Sequence, residues 1–351
     1  MTKNDLAGVM SIFMCCVGSV IGAGFASGQE IMSFFVRYGK YGAVGIALCG
    51  GLFSAYVYTV LKKIYVSDID DFRGYFSDVA GRGTVSVIEM ISYGFMLASF
   101  CVMVSGSGAV AEQFSVNKIY GILFMAGLCF FVFLKGVDGM VAVNAVMTPL
   151  IIIGIFVVGI MSTFESPGAF AGGGKIKITD NFLSSAIMYV SYNTVTLIGV
   201  LLPLKNKITS RSVAVFGGIS SGIFLAIMGL VLWQVLWRGR YHLEGAEVPM
   251  LFLARQSGDF ARYMYGTVLY MAMITTAVSS GFAFLNFLKE RFSVKNSIAA
   301  AGICAFSVPF SLLGFANLVD KLYRLFGILG IFVLIMVFFG GARKKCLKSL
   351  C

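Results

Sequence analysis

The sequence predicts an all-α integral membrane protein whose ten transmembrane helices fall into two sets of five. Three observations carry this. Hydrophobic residues make up 58% of the 351-residue chain and charged residues 12%, against roughly 25% charged in a soluble domain; mean hydropathy is +0.90. The apolar residues come in unbroken blocks of roughly 20, the length a helix needs to cross the hydrocarbon core. They do not alternate with polar residues as barrel strands do. Two of these blocks, five spans apart, are interrupted by small or polar residues near their centres.

The spans run over about 6–36, 40–63, 83–112, 117–134, 138–163, 181–204, 211–237, 260–289, 297–315 and 319–341, each long enough to cross and some long enough to tilt or break. They form a single transmembrane domain, with repeat one at about 6–163 and repeat two at about 181–341.

Span 1 contains "SVIGAGFASGQE", residues 19–30, which at first sight is a dinucleotide fingerprint. The context excludes it. The spacing is G-x-G-x-x-x-G, the preceding apolar run is too long for one strand, and no acid stands between Glu30 and Asp68 to meet a ribose. Two readings of the glycines stay open. They can mark an unwound helix, whose freed N–H and C=O groups line a cavity. They can also serve close helix packing, since Gly18-x-x-x-Gly22 and Gly24-x-x-x-Gly28 both fit small-xxx-small contacts.

Span 3 carries Glu89, an isolated acid inside a span. Such a group is a functional candidate; about two turns from the helix end, it also suits a snorkelling or helix-start role. Span 6 reads "FLSSAIMYVSYNTVTLIGVLLP", with Ser191, Tyr192, Asn193 and Thr194 at its centre. Interruptions at matching places in two halves are the strongest sequence pointer to a transporter's solute site, so spans 1 and 6 are both expected to be broken. Trp233, Trp237 and Tyr241 form an outer aromatic belt, and a short helix is expected to start at Pro249 in the long loop after it. In span 8, Thr276, Ser279 and Ser280 stand at i, i+3 and i+4 and share one face. Hydroxyls placed so either meet a ligand or bond back to their own helix.

The formal net charge is +11, but the cations gather at span ends and the C-terminus, as the positive-inside rule expects, so nucleic acid is not an expected partner. With both termini in the cytoplasm, 16 of the 27 Lys and Arg fall on the inner side. The expected location is the plasma (inner) membrane. The first apolar segment runs too long for a cleaved signal peptide. The eight Cys are scattered, His242 is the only histidine, and no HExxH or Cys/His cluster is present. Neither an enzyme nor a cofactor is expected.

The stretch "GSVIGAGFASGQEI", followed by ten spans in about 350 residues, resembles the YkvI family of bacterial membrane proteins. That family looks like amino-acid permeases of the amino acid–polyamine–organocation superfamily, which shares the LeuT-like five-plus-five inverted repeat with broken helices 1 and 6. The resemblance covers essentially the whole chain. It implies a solute site in which the amides of Ala23, Gly24 and Phe25 face a substrate carboxylate. Tyr93 from span 3 and Tyr189, Ser191, Tyr192 and Asn193 from span 6 would complete that site. It implies a sodium site from the carbonyls of Gly18, Ile21 and Thr276 and the hydroxyls of Ser279 and Ser280. In proton-coupled relatives a Lys fills this place from span 5, where this chain has Asn144 and Thr148. The outer-gate Arg of sodium-coupled relatives is missing; Gly28, Gln29 and Glu30 stand there, so a gate of reversed sign would pair Glu30 with Lys321 or Arg324, beside Asp320. The implied function is secondary active transport of a small solute, most simply an amino acid, coupled to sodium. A receptor on the same fold and a proton-coupled permease are the alternatives.

Overall fold

The computed structural model describes residues 2–69, 71–164, 181–240, 243, 248–312 and 326–338. Among these residues the regular structure is helical.

The first span is broken. Helix α1 (Lys3–Val20) starts on a capping box, in which the Thr2 hydroxyl accepts from the Asp5 amide and the Asp5 carboxylate accepts from the Thr2 amide. It stops at Ile21. Two short turns follow, α2 (Ala23–Ala26) and α3 (Gln29–Phe34). The chain continues through α4 (Lys40–Ser67), a short α5 (Phe72–Phe76), α6 (Arg82–Gln113), α7 (Lys118–Leu134), α8 (Gly136–Phe164) and α9 (Phe182–Leu201). After these come α10 (Arg211–Gly239), α11 (Pro249–Gln256), α12 (Asp259–Phe292), α13 (Asn296–Ser311) and α14 (Phe326–Phe338). Six helices, counting α9 with its 3₁₀ extension to Lys207, are long and apolar enough to cross a membrane, and α7, α13 and α14 are shorter apolar helices. The chain is a multi-pass membrane protein.

Small residues set how closely the helices pack, because lipid offers no hydrophobic drive between them. One close seam runs between α4 and α10. A Cβ on Gly222 would stand 2.2 Å from Ser54 Oγ, and one on Gly50 would stand 2.5 Å from Ala226 Cβ. Helices α9 and α12 are the most buried spans. They lie against the broken span, which puts the site in the middle of the bundle rather than at its rim.

One expectation is corrected. Span 6 is not broken at its polar centre: α9 is a continuous α-helix from Phe182 to Leu201, tightening to a 3₁₀ turn only at Leu202–Lys207, where Pro203 stands. The polar side chains explain this. Ser191 Oγ donates to Ile187 O (2.7 Å), Asn193 Nδ2 to Tyr189 O (2.9 Å) and Thr194 Oγ1 to Ser191 O (2.8 Å). Each satisfies itself on its own helix, so the backbone has no reason to open.

Candidate functional site

The break in span 1 is made by backbone and side chain together. Ile21 leaves the helix at φ −78°, ψ 69°, and Gly22 is extended at φ −90°, ψ −168°. The Gly22 amide turns back to Val20 O (2.9 Å), which a regular helix would give to Gly18 O. The carbonyls of Gly18 and Ser19 receive the Thr276 hydroxyl of α12 instead, at 3.3 and 3.4 Å. Glycine is needed for the approach. A Cβ on Gly18 would stand 2.2 Å from Asn144 Oδ1 and 2.7 Å from Thr148 Oγ1, and one on Gly22 would stand 2.8 Å from Thr276 Oγ1.

This gathers neutral oxygens from three helices. The Thr148 hydroxyl donates to Met14 O (3.2 Å), and Asn144 Nδ2 donates to Met140 O (2.9 Å) and Ser279 Oγ (3.3 Å). Asn144 Oδ1 is buried and, among the described residues, accepts no hydrogen bond. The expected sodium ligands are divided. Gly18 and Thr276 meet directly, and Ser279 touches the group through Asn144. Ser280 donates to Thr276 O of its own helix (2.7 Å). Ile21 is buried at the break itself. Asn144 is the addition. By sequence it only stands where proton-coupled relatives carry a Lys, because its unpaired oxygen is visible only in three dimensions.

On the other side of the break, Ala23, Gly24 and Phe25 form the first turn of α2 and are buried. The Tyr265 hydroxyl donates to Ala26 O, and the Met250 amide of α11 donates to Ser27 O (2.9 Å). The expected short helix at Pro249 is thus present, and it holds the end of the broken segment. Gly28 follows in the left-handed region, φ 82°, with Leu236 and Met250 packed over it.

An aromatic wall faces this turn. Tyr189 and Tyr192 of α9 have ring centroids 5.5 Å apart; Phe34 lies 5.6 and 5.9 Å from them, and Phe35 and Phe53 lie 5.1 and 6.1 Å from Tyr189. Phe25 and Tyr189 line one cavity together. Asn193 is buried on the same helix, and Ser191 turns its backbone toward Gly330 of α14, where a Cβ would stand 2.2 Å from Ser191 O. Tyr93 is not brought to this wall. It stacks on Phe287 (4.4 Å, 19°) and packs on Phe72 (5.5 Å), in the layer where Arg73 Nε meets Glu89 Oε2 at 2.7 Å. Glu89 therefore ties α5 to α6. Of the expected gate, Glu30 is buried at the break, while Asp320, Lys321 and Arg324 lie outside the described residues.

No family model matches the chain. It is 29% identical over 320 residues to the membrane protein YkvI of Bacillus subtilis (strain 168), covering 89% of this chain and 90% of that one. It is 22% identical over 326 residues to YyaD of the same organism, covering 93% and 95%. Among solved structures it is similar to a substrate-bound, outward-open Na⁺-coupled sialic acid symporter, with TM-score 0.68, 12% identity, and 93% of this chain and 78% of that one covered. It is similar to MhsT in complex with L-phenylalanine, with TM-score 0.67, 12% identity, and 95% and 87% covered. It is also similar to a manganese transporter of Eremococcus coleocola, with TM-score 0.59, 12% identity, and 95% and 76% covered. The chain is a relative of YkvI along nine-tenths of its length, and its fold is the LeuT-like fold of these transporters.

Proposed function

We propose that this chain is a secondary active transporter that moves a small solute across the plasma membrane by alternating access, with ten spans in two inverted sets of five and both termini in the cytoplasm. The observation that carries this is the break at Ile21–Gly22. A backbone opened in mid-bundle is tolerated where it lines a binding cavity, and here it is flanked by an oxygen cluster on one side and an aromatic wall on the other. The solute is an amino acid or a small amine-bearing compound of similar size, because the wall supplies apolar contact and the break supplies polar contact.

Sodium is the proposed coupling ion. The oxygens of Gly18, Ser19, Thr276, Ser279 and Asn144 are neutral, which suits a hard monovalent cation, and among the described residues no donor reaches Asn144 Oδ1. An Asn at this place in α8 carries no proton to exchange, which weighs against proton coupling there.

The test is uptake into proteoliposomes of purified full-length protein, driven by an inward sodium gradient and repeated with potassium in place of sodium. Accumulation that needs sodium supports the reading. Solute binding with no accumulation under any gradient would make the chain a receptor on a transporter fold. Accumulation driven by a pH gradient alone would replace sodium by protons.

A further inference from the structure

Glu30 stands inside the site and has no role in the reading above. It is 7% exposed, and α3 folds it back toward the unwound turn. Glu30 Oε1 lies 2.1 Å, and its Cδ 2.7 Å, from the point where a Cβ on residue 24 would stand. The carboxylate thus fills the space that Gly24 leaves open. Among the described residues no donor reaches Oε2 in hydrogen-bond geometry. Among the described residues Glu30 forms no ion pair with Lys, Arg or His.

A buried carboxylate without a counter-charge is costly. An ammonium group supplies both the charge and the N–H donors that Oε2 lacks. Phe34, on the same helix α3 as Glu30, packs with Tyr189 and Tyr192, and aromatic rings attract a cation. A solute carboxylate placed at the amides of Ala23, Gly24 and Phe25 would instead meet Glu30 head on. We propose that Glu30 is a solute-binding residue that pairs with the ammonium group of the transported compound, so that the amino end, and not the carboxylate end, sits against Gly24. The preferred solutes are therefore small amines with an apolar body, and a carboxylate on the solute is not required. This rests on the transporter reading and deepens it.

The test uses full-length protein and three probes that share one apolar body: 2-phenylethylamine, phenylalanine and 3-phenylpropanoate. Affinities are measured by isothermal titration in nanodiscs. The amine is expected to bind no more weakly than phenylalanine and at least tenfold more tightly than 3-phenylpropanoate. In Glu30→Gln the amine affinity falls at least tenfold, while Glu30→Asp, which keeps the charge, keeps the order. The proposal is overturned if the amine fails to bind the unaltered protein, if phenylalanine binds tenfold more tightly than the amine, if 3-phenylpropanoate equals the amine, or if Glu30→Gln holds amine affinity within twofold. Should Glu30→Gln not fold, the ranking on the unaltered protein and on Glu30→Asp decides. Counterflow in proteoliposomes of the same preparations separates the two claims. Binding in the expected order without transport keeps Glu30 and removes the transporter; transport with the opposite order does the reverse.

Discussion

Glu30 folds its carboxylate onto Gly24, with Oε1 2.1 Å from the place of the missing Cβ. Two residues six apart in sequence thereby share one volume, and a change at one is felt by the other. Gly24→Ala should push Glu30 out and lower solute affinity at least tenfold. The double variant Gly24→Ala with Glu30→Ala should recover the thermal stability of the unaltered protein without recovering solute binding. Thermal unfolding and titration on the same samples check both halves; normal affinity in Gly24→Ala would return the glycine to a packing role.

The aromatic wall makes a second expectation. Tyr192→Ala should lower solute affinity by tenfold or more, because it removes a ring that packs on Phe34 and Tyr189. Phe131→Ala is the matched control: that ring is 67% exposed on α7 and should leave affinity unchanged. Asn193→Ala should have a smaller effect than Tyr192→Ala, since its amide is spent on Tyr189 O. Equal effects of Tyr192→Ala and Phe131→Ala would remove the wall from the site.

The orphan oxygen of Asn144 gives the sodium test its sharpest variant. Asn144→Leu replaces a neutral oxygen beside Gly18 with a hydrocarbon and should raise the sodium concentration for half-maximal uptake at least tenfold. Thr276→Ala should do the same, because Thr276 Oγ1 is the group that meets the Gly18 and Ser19 carbonyls. Ser280→Ala should change it less, since that hydroxyl donates to Thr276 O within its own helix. Sodium titrations of initial uptake rate, with potassium keeping the ionic strength constant, read this out. An unaltered sodium curve in Asn144→Leu sinks the site.

Glu89 is expected to be a tether rather than part of the solute path. Its partner Arg73 is 2.7 Å away and partly exposed, so the pair is worth about 1 kcal/mol or less. Glu89→Gln should lower stability by that order and leave solute affinity within twofold. A tenfold loss of affinity in a stably folded Glu89→Gln would show that the acid acts on the solute.

Gly28 is held at φ 82° with Leu236 Cδ1 and Met250 Cγ each 3.0 Å from the place of a Cβ. Left-handed backbone costs a non-glycine residue about 1–2 kcal/mol, and the contact adds to it. Gly28→Ala should therefore destabilise the protein by at least that amount, measured by chemical unfolding, and should loosen α11 from the broken span.

Much of this protein is written one residue at a time. The apolar blocks give the spans, because a helix is how a chain hides its own N–H and C=O groups in hydrocarbon. The glycines of "GSVIGAG" mark the break in span 1, and Pro249 marks the start of α11. The polar centre of span 6 looked the same on paper and is not a break, since its Ser, Asn and Thr side chains satisfy themselves on α9. Sequence cannot decide between those outcomes, because a hydroxyl that bonds its own helix and one that bonds a solute are the same letter. Nor does it say where Tyr93 points: only packing sends that ring to Phe287 and Phe72 rather than to Tyr192. The position of Glu30 is the clearest case. Its identity is legible, but its contact with Gly24 depends on a left-handed turn of backbone at Gly28 that lets α3 fold back.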